Sequence, residues 1–286
     1  MAQLTLNPML TTNALGSFAV QSDGYIQGVA MDDPANRFNL SSGTVSVMEA
    51  KPLWGGIPVA EFLAGNQSSP RGTTIRRAVS VADLEGFTVF NQAHNGLTTP
   101  QSPVPLYTSG MSVSFYRLGS GMRVPLKASA QVVALGTSGA SVKAALAWDF
   151  VNEQLTTAAS AGFSGSDIAT TAVSYDSGVA TATTASAHGL SAGQYVKISG
   201  IAPAAYNGTV VVLSVPGATS FTYAPAAAPG GTATTQGKIG AVTLSDITLP
   251  VKVLAVETGN SKTVNYDDST GFLTWNNNDS CALVLL

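Results

Sequence analysis

Short runs of alternating apolar and polar residues recur along most of this sequence, whereas helical periodicity is hard to find. Many apolar positions hold β-branched residues, and Gly, Pro and Asn separate the runs, which is the pattern of half-buried strands. The clearest runs are SGTVSVMEA, GMSVSFYRLG, VPLKASAQVVAL, ASVKAALAWDF, LPVKVLAVE and SKTVNYD. The sequence therefore predicts an all-β protein whose main domain is a β-barrel or a β-sandwich.

Two short stretches are the best helix candidates. PVAEFLAG starts at Pro58 and SVADLEG starts at Ser80. Each has the apolar spacing of a helix for a turn or two, and we expect neither helix to be longer than that.

The composition changes sharply near residue 168. From Ile168 to Gly237 the only charged residues are Asp176 and Lys197, and the strand-like runs GVATATTAS, YVKISGI, VVVLSV and TSFTYA follow one another. This predicts a small β module, Ig-like or SH3-like, of residues 168–237. The flanks SAGFSGSD and APGGTATTQGKIG are typical of linkers, so we expect the module to project from a host domain made of residues 1–167 and 238–286.

The C-terminal 25 residues predict a hairpin followed by a buried strand. TVNYD and FLTW flank the turn DDSTG, in which Gly271 suits a left-handed position. The final run CALVLL contains Cys281, the only cysteine, which we expect to be a buried structural thiol. A single cysteine forms no intramolecular disulfide, which suits a reducing compartment.

The charge balance limits the classes of partner. The chain has 13 basic and 16 acidic residues, a net charge of -3, and so has no basic excess to attract nucleic acid or an anionic membrane. The N-terminal stretch MAQLTLNPML lacks the regions of a signal peptide, and no run approaches the ~18 apolar residues of a membrane span. We therefore expect a soluble protein made in the cytosol that binds neither nucleic acid nor membrane.

Residues that usually carry catalysis are few. His94 and His188 both precede turn residues, where a small polar ring tolerates the bend. With two histidines and one cysteine, a zinc site of the usual His/Cys type is nearly excluded. We expect no catalytic residue, no metal and no cofactor. The acidic pairs Asp32-Asp33 and Asp267-Asp268 are expected to cap turns, with a weak calcium site as the open alternative.

One basic cluster stands out in the stretch PRGTTIRR. It holds Arg71, Arg76 and Arg77. Guanidinium groups pair with carboxylates, and arginine is enriched at protein interfaces. The cluster is either a solvated loop or a contact surface, and its three arginines are the candidate interface residues.

Several stretches resemble capsid decoration proteins of tailed bacteriophages, also called structural cement proteins. The resemblance lies in LPVKVLAVETGNSKTVNYDDSTGFLTWNNNDSCALVLL, in the WDF at 148–150 and in FNLSSGTVSVMEAKPLWGGIPVAEF. Separately, HGLSAGQYVKISGIAPAAYNGTVVVLSVPGATSFTY is similar to a β module of phage tail and decoration proteins. These are patterns of packing and turn residues, without a catalytic motif among them.

The resemblance implies a structural virion protein rather than an enzyme. It would sit on the outer capsid surface after synthesis in the bacterial cytoplasm, bridge subunits of the major capsid protein, and self-associate as a homo-oligomer, a trimer rather than a dimer. Candidate contacts are the extended N-terminal segment and Arg71, Arg76 and Arg77. Two alternatives stay open: a tail or baseplate structural component, with or without carbohydrate binding, and an enzyme such as a polysaccharide depolymerase.

Overall fold

A computed structural model of the chain describes residues 24–31, 37–64, 72–90 and 96–286. Strands dominate these ranges, and two sets of strands close into separate barrels. The predicted all-β fold is confirmed.

The first barrel has five strands. They are β1 (Leu40–Val45), β2 (Pro58–Phe62), β3 (Thr73–Arg77), β4 (Gly86–Val89) and β5 (Ser112–Arg117). Their order is β1-β3-β2-β4-β5, and β5 pairs with β1 to close the barrel. The β1–β3 pair is parallel and the others are antiparallel. Alternating side chains such as Val59, Ile75 and Phe115 are fully buried and form the barrel core.

The two helix predictions in this region have different outcomes. The stretch starting at Pro58 is strand β2, so the helix prediction there is wrong. Its backbone pairs with β3 on one side and β4 on the other, and these long-range hydrogen bonds override the short helical spacing. The stretch starting at Ser80 contains a single 3₁₀ turn, Val81–Asp83, as expected. A second 3₁₀ turn, Arg37–Asn39, precedes β1.

A mixed segment follows the first barrel. It contains β6 (Arg123–Lys127), helix α1 (Ala130–Ser138), β7 (Leu146–Asp149), β8 (Gln154–Thr157) and the short helix α2 (Ala158–Ala161). The strand predicted over VPLKASAQVVAL is correct only in its first half. The Ser129 hydroxyl caps α1 by accepting from the backbone N–H of Val132, and Gly139 ends the helix at a φ of 67°.

The second barrel has six strands. They are β9 (Ile168–Asp176), β10 (Val179–Thr184), β11 (Tyr195–Ser199), β12 (Gly208–Gly217), β13 (Ser220–Tyr223) and β14 (Lys238–Gly240). The order is β10-β13-β12-β11-β14-β9, closed by the β9–β10 pair. The predicted strands of this region are present. The flank predicted as a linker ends in β14, because Lys238–Gly240 pairs with both β11 and β9. Independent folding of residues 168–237 stays a prediction.

A long hairpin completes the chain. Strands β15 (Lys252–Tyr266) and β16 (Leu273–Leu285) follow the 3₁₀ turn Leu244–Asp246, and β16 also pairs with β6. The predicted turn and the burial of the final run are confirmed, with Gly271 at a φ of 73° and Cys281 fully buried. The final run is not a separate strand, because FLTW and CALVLL both contribute to β16. One half of the hairpin packs on the first barrel through Val264 and Leu273. The other half packs with β6 and α1, so the hairpin contributes to two separate hydrophobic clusters.

The second barrel and the mixed segment that contains β7, β8 and α2 contact each other through a buried interface. The Tyr195 hydroxyl donates to the Trp148 carbonyl at 2.6 Å, and Phe163 pairs with Tyr195 through its backbone N–H at 2.8 Å. Gly193 lies against Asp149, where an added Cβ would come within 2.2 Å of the carboxylate oxygen Oδ1. A small apolar cluster of Ala147, Ala158, Tyr195, Val211, Val242 and Ile247 fills the space between them.

Candidate functional site

The predicted arginine cluster is divided by the fold. Arg71 lies outside the described residues. Arg76 is partly exposed, and its guanidinium carbon lies 3.8 Å from the centroid of the Phe62 ring. Arg77 turns the other way and is largely buried. Because Arg76 and Arg77 are neighbours on a strand, their side chains fall on opposite faces of the sheet.

Arg77 is bound within the chain. Its guanidinium pairs with the carboxylate of Glu153, and Nη2 donates to the Pro52 carbonyl at 2.6 Å. The Nε atom lies 3.6 Å from a carboxylate oxygen of Glu49, and the guanidinium stacks over Trp54 at 4.4 Å. These contacts occupy the Arg77 guanidinium, which we expected to bind a partner protein. The partner contact predicted for this cluster therefore depends on Arg76 among the described residues.

Glu153 is held in an unusual backbone conformation. It lies in the turn between β7 and β8 with a φ of 52°, a region that non-glycine residues visit at a cost of about 1 kcal/mol or more. Asp149 fixes the turn, because its Oδ1 atom accepts from the backbone N–H groups of Val151 and Asn152 at 3.0 Å each. Burial raises the pKa of Glu153, while the charges of Arg77 and two lysines oppose that rise.

Cations and aromatic rings alternate beside Glu153. Arg77 lies over Trp54, Trp54 stacks on Tyr266 with ring centroids 5.7 Å apart, and Lys51 lies 5.2 Å from the centroid of Tyr266. Lys51 also forms an ion pair of 2.5 Å with Asp268. This stack connects the first barrel to the tip of the β15–β16 hairpin.

A polar cleft opens between these elements. Its volume is about 290 Å³, and its lining combines charged, amide, phenol and two valine side chains: Lys51, Lys127, Val151, Asn152, Glu153, Gln154, Val264, Asn265, Tyr266 and Asp268. The residues come from the β7–β8 turn and the start of β8, the end of β6, the hairpin tip and the connection between β1 and β2. We refer to this site as the Glu153 cleft.

Large apolar side chains are exposed at both ends of the first barrel. Phe38 and Leu63 are 91% and 96% exposed and lie at the end where β1 begins and β2 ends. At the opposite end, Val47 and Met48 are 85% and 75% exposed, just after β1. Val79 is also exposed there, since it follows β3, which runs parallel to β1.

A charged pair lies at the end of the first barrel where Phe38 and Leu63 are exposed. Arg117 donates two hydrogen bonds to Glu61, at 2.6 and 2.7 Å, and a third to the Ser41 hydroxyl at 2.8 Å. The hydrogen bonds from Arg117 lower the pKa of Glu61. This pairing keeps Glu61 ionised beneath the exposed apolar residues.

The other residues considered in the sequence analysis are the two histidines, the acidic pairs and Cys281, and those that the structure describes have structural roles. His188 precedes Gly189, which has a φ of 64°, and its side chain is buried: its Nδ1 atom accepts from the Leu190 N–H at 3.0 Å, and its ring packs edge-on against Phe221. Asp267 caps its turn as expected, accepting from Ser269 and Thr270. His94 and the Asp32-Asp33 pair lie outside the described residues. Burial raises the pKa of the Cys281 thiol to about 12.

Within the described ranges, no three His, Cys, Asp or Glu side chains come together as a metal-binding group. In the same ranges, no helix has the length and apolar character needed to cross a membrane. Comparisons of the chain with family models, with curated proteins and with solved structures found no match.

Proposed function

We propose that this chain is a structural virion protein that decorates the outside of a phage capsid. In this role it stabilises the shell by bridging subunits of the major capsid protein, and it acts by contact rather than by catalysis. The resemblance in sequence supports the proposal. The observation that carries it is the set of exposed apolar side chains on the first barrel.

The exposed residues and the resembling sequence coincide. The stretch FNLSSGTVSVMEAKPLWGGIPVAEF spans residues 38–62 and contains Phe38, Val47, Met48 and Phe62, while Leu63 follows it directly. Exposed large apolar side chains at the two ends of one barrel offer surface for protein contacts, and covering such surface gains about 25 cal/mol per Å². The first barrel is therefore the proposed contact domain.

Arg76 adds a polar contact at the edge of this surface. Its stacking on Phe62 holds the guanidinium beside an exposed aromatic ring, and arginine and aromatic residues together are enriched at interface hot spots. We propose that Arg76 pairs with a carboxylate of the major capsid protein. Binding should then weaken as salt concentration rises.

The proposed oligomer is a homotrimer rather than a dimer. A capsid offers local threefold and twofold positions, and an oligomer that matches one of them makes several contacts in each docking event. The proposed location is the outer capsid surface, reached after synthesis in the bacterial cytoplasm.

Quantitative mass spectrometry of purified virions and emptied heads tests the proposal. We expect a copy number comparable to that of the major capsid protein, retained on the emptied heads. A few copies per particle, or loss with the tails, would contradict capsid decoration and support the alternative of a tail or baseplate structural component.

A surface variant tests the contact domain. Replacing Phe38 and Leu63 together by serine should abolish binding to stripped heads, because both side chains lie at one end of the first barrel. The matched control is Val142→Ser, which changes a 45% exposed valine in the loop after α1. Equal head binding by both variants would exclude this end of the barrel as the contact.

A further inference from the structure

We infer that the Glu153 cleft binds a neutral saccharide. The inference concerns a site on the host domain, next to the end of the first barrel at which β3 ends, and it holds whether or not the chain decorates a capsid. It depends on the charges, the free hydrogen-bonding groups and the size of the cleft.

The charges that line the cleft balance. Lys51 and Lys127 face the carboxylates of Glu153 and Asp268, and Lys51 is already paired with Asp268. An ionic ligand therefore gains no net attraction from the lining. A ligand without charge that both donates and accepts hydrogen bonds matches the lining better.

Glu153 supplies an acceptor whose position is fixed. One of its carboxylate oxygens is bound by Arg77, and the other makes no hydrogen bond within the described part of the chain. The Asp149-capped turn and the Arg77 contact hold this carboxylate in place before any ligand arrives. A ligand hydroxyl can donate to the free oxygen at little cost in ordering.

Further groups in the lining are free to bind a ligand. The amides of Gln154 and Asn265, the hydroxyl of Tyr266 and the ammonium of Lys127 have no hydrogen-bond or ion-pair partner among the described residues. Together they offer donors and acceptors on more than one wall of the cleft. A sugar ring, which carries hydroxyls on successive carbons, can use several of them at once.

The size and the lining favour a saccharide over a peptide. A volume of about 290 Å³ lies at the lower end of the range for small-molecule clefts, enough for about one or two sugar rings. Val151 and Val264 are the aliphatic side chains in its lining. A peptide site needs deeper apolar pockets for its side chains, and this lining does not provide them.

Binding of defined sugars to the purified full-length protein tests the inference. The probes are glucose, galactose, N-acetylglucosamine and a disaccharide of each, followed by ligand-observed NMR and calorimetry. We expect at least one probe to bind with a Kd in the millimolar range or below. Combining Gln154→Ala with Asn265→Ala should weaken that binding by about tenfold or more, since each amide contributes about one hydrogen bond.

The controls separate loss of the site from loss of folding. Gln154 and Asn265 make no side-chain hydrogen bonds within the described chain, so the double variant should melt close to the wild type. Ser174→Ala, on the outer surface of the second barrel, should bind the sugar unchanged. Absence of binding by every probe, equal binding by the double variant, or binding of free glycine or a short peptide in place of sugars would each overturn the inference.

Discussion

The hydroxyl of Tyr195, on the first strand after the His188 loop, donates a 2.6 Å hydrogen bond to the backbone carbonyl of Trp148 in the host domain. Both residues are buried, and Phe150 packs edge-on against the Tyr195 ring. Burial raises the pKa of Tyr195, so its hydroxyl remains a donor across the physiological pH range. This hydrogen bond between the second barrel and the host domain therefore holds the barrel at a defined position.

Removing this hydroxyl should weaken the junction. We expect Tyr195→Phe to lower the free energy of unfolding by about 1–2 kcal/mol, because a buried hydrogen bond is lost without a change in packing. Tyr175→Phe is the control, since it removes a hydroxyl from the same barrel away from the interface. Urea unfolding of both variants measures the difference, and equal stabilities would show that the bond contributes nothing.

A substitution at Gly193 tests the close packing at the same interface. Gly193→Ala places a methyl group against the Asp149 carboxylate and also forces alanine to a φ of 86°. Gly178→Ala imposes the conformational cost alone, because its φ is 93° and nothing lies within 4 Å of the new Cβ. We expect Gly178→Ala to cost about 1–2 kcal/mol and Gly193→Ala clearly more. If thermal unfolding gave the same loss for both, the close contact would be absent in solution.

Neighbouring arginines should differ strongly in their effect on stability. Arg77→Met leaves the half-buried Glu153 without its partner, so we expect a loss of about 2–3 kcal/mol. Arg76→Met removes an exposed cation–π contact and should cost about 0.5–1 kcal/mol. Denaturant unfolding gives both values. In head-binding assays we expect only Arg76→Met to reduce the salt dependence of binding. Arg77→Met should leave that salt dependence unchanged.

Asp267 should titrate at unusually low pH. Hydrogen bonds from Ser269 and Thr270 lower its pKa to about 2. Because the folded pKa lies below the unfolded value, the turn contributes stability above the ordinary aspartate pKa, and this contribution is lost as the pH falls toward 2. Carbon-13 NMR of the carboxyl groups measures the titration. The Ser269→Ala, Thr270→Ala double variant should move the pKa back toward its ordinary value, and an unchanged titration would exclude the hydrogen bonds as its cause.

Deletion of the second barrel tests its separate role. The strand positions place the junction between Asp167 and Ala241, since β14 belongs to the barrel and not to a linker. We expect the shortened chain to fold with reduced stability, because Ala147, Ala158 and Ile247 lose their cover, and to bind heads as the full chain does. A folded variant without head binding would assign the second barrel to the capsid contact.

Much of the strand content could be predicted because alternation is a local signal. The C-terminal hairpin is an example: its turn residues and apolar positions lie together in sequence, and Gly271 has the left-handed conformation that its position indicated. Helix α1 was missed where Val132 and Val133 resemble a strand. The capping residues Ser129 and Gly139 could have identified it, since both lie at the helix ends.

The Glu153 cleft could not be predicted from local patterns. Arg77 and Glu153 are 76 positions apart, and Tyr266 joins them from the hairpin tip. Their pairing depends on how the β7–β8 turn packs against the first barrel. A cluster of three arginines in sequence carries no information about which guanidinium turns inward, because that choice follows from the register of β3 on β2.

The first and last strands of the second barrel, β9 and β14, are paired neighbours, with Ile168 opposite Ile239. The chain therefore leaves the host domain and returns to it within about the 5 Å that separates adjacent strands. For the geometry of the host domain, the whole barrel therefore spans no more distance than a tight turn does. Any compact domain whose ends lie equally close could be exchanged into this position by recombination, and a foreign domain fused there would be presented at a fixed point on the host surface.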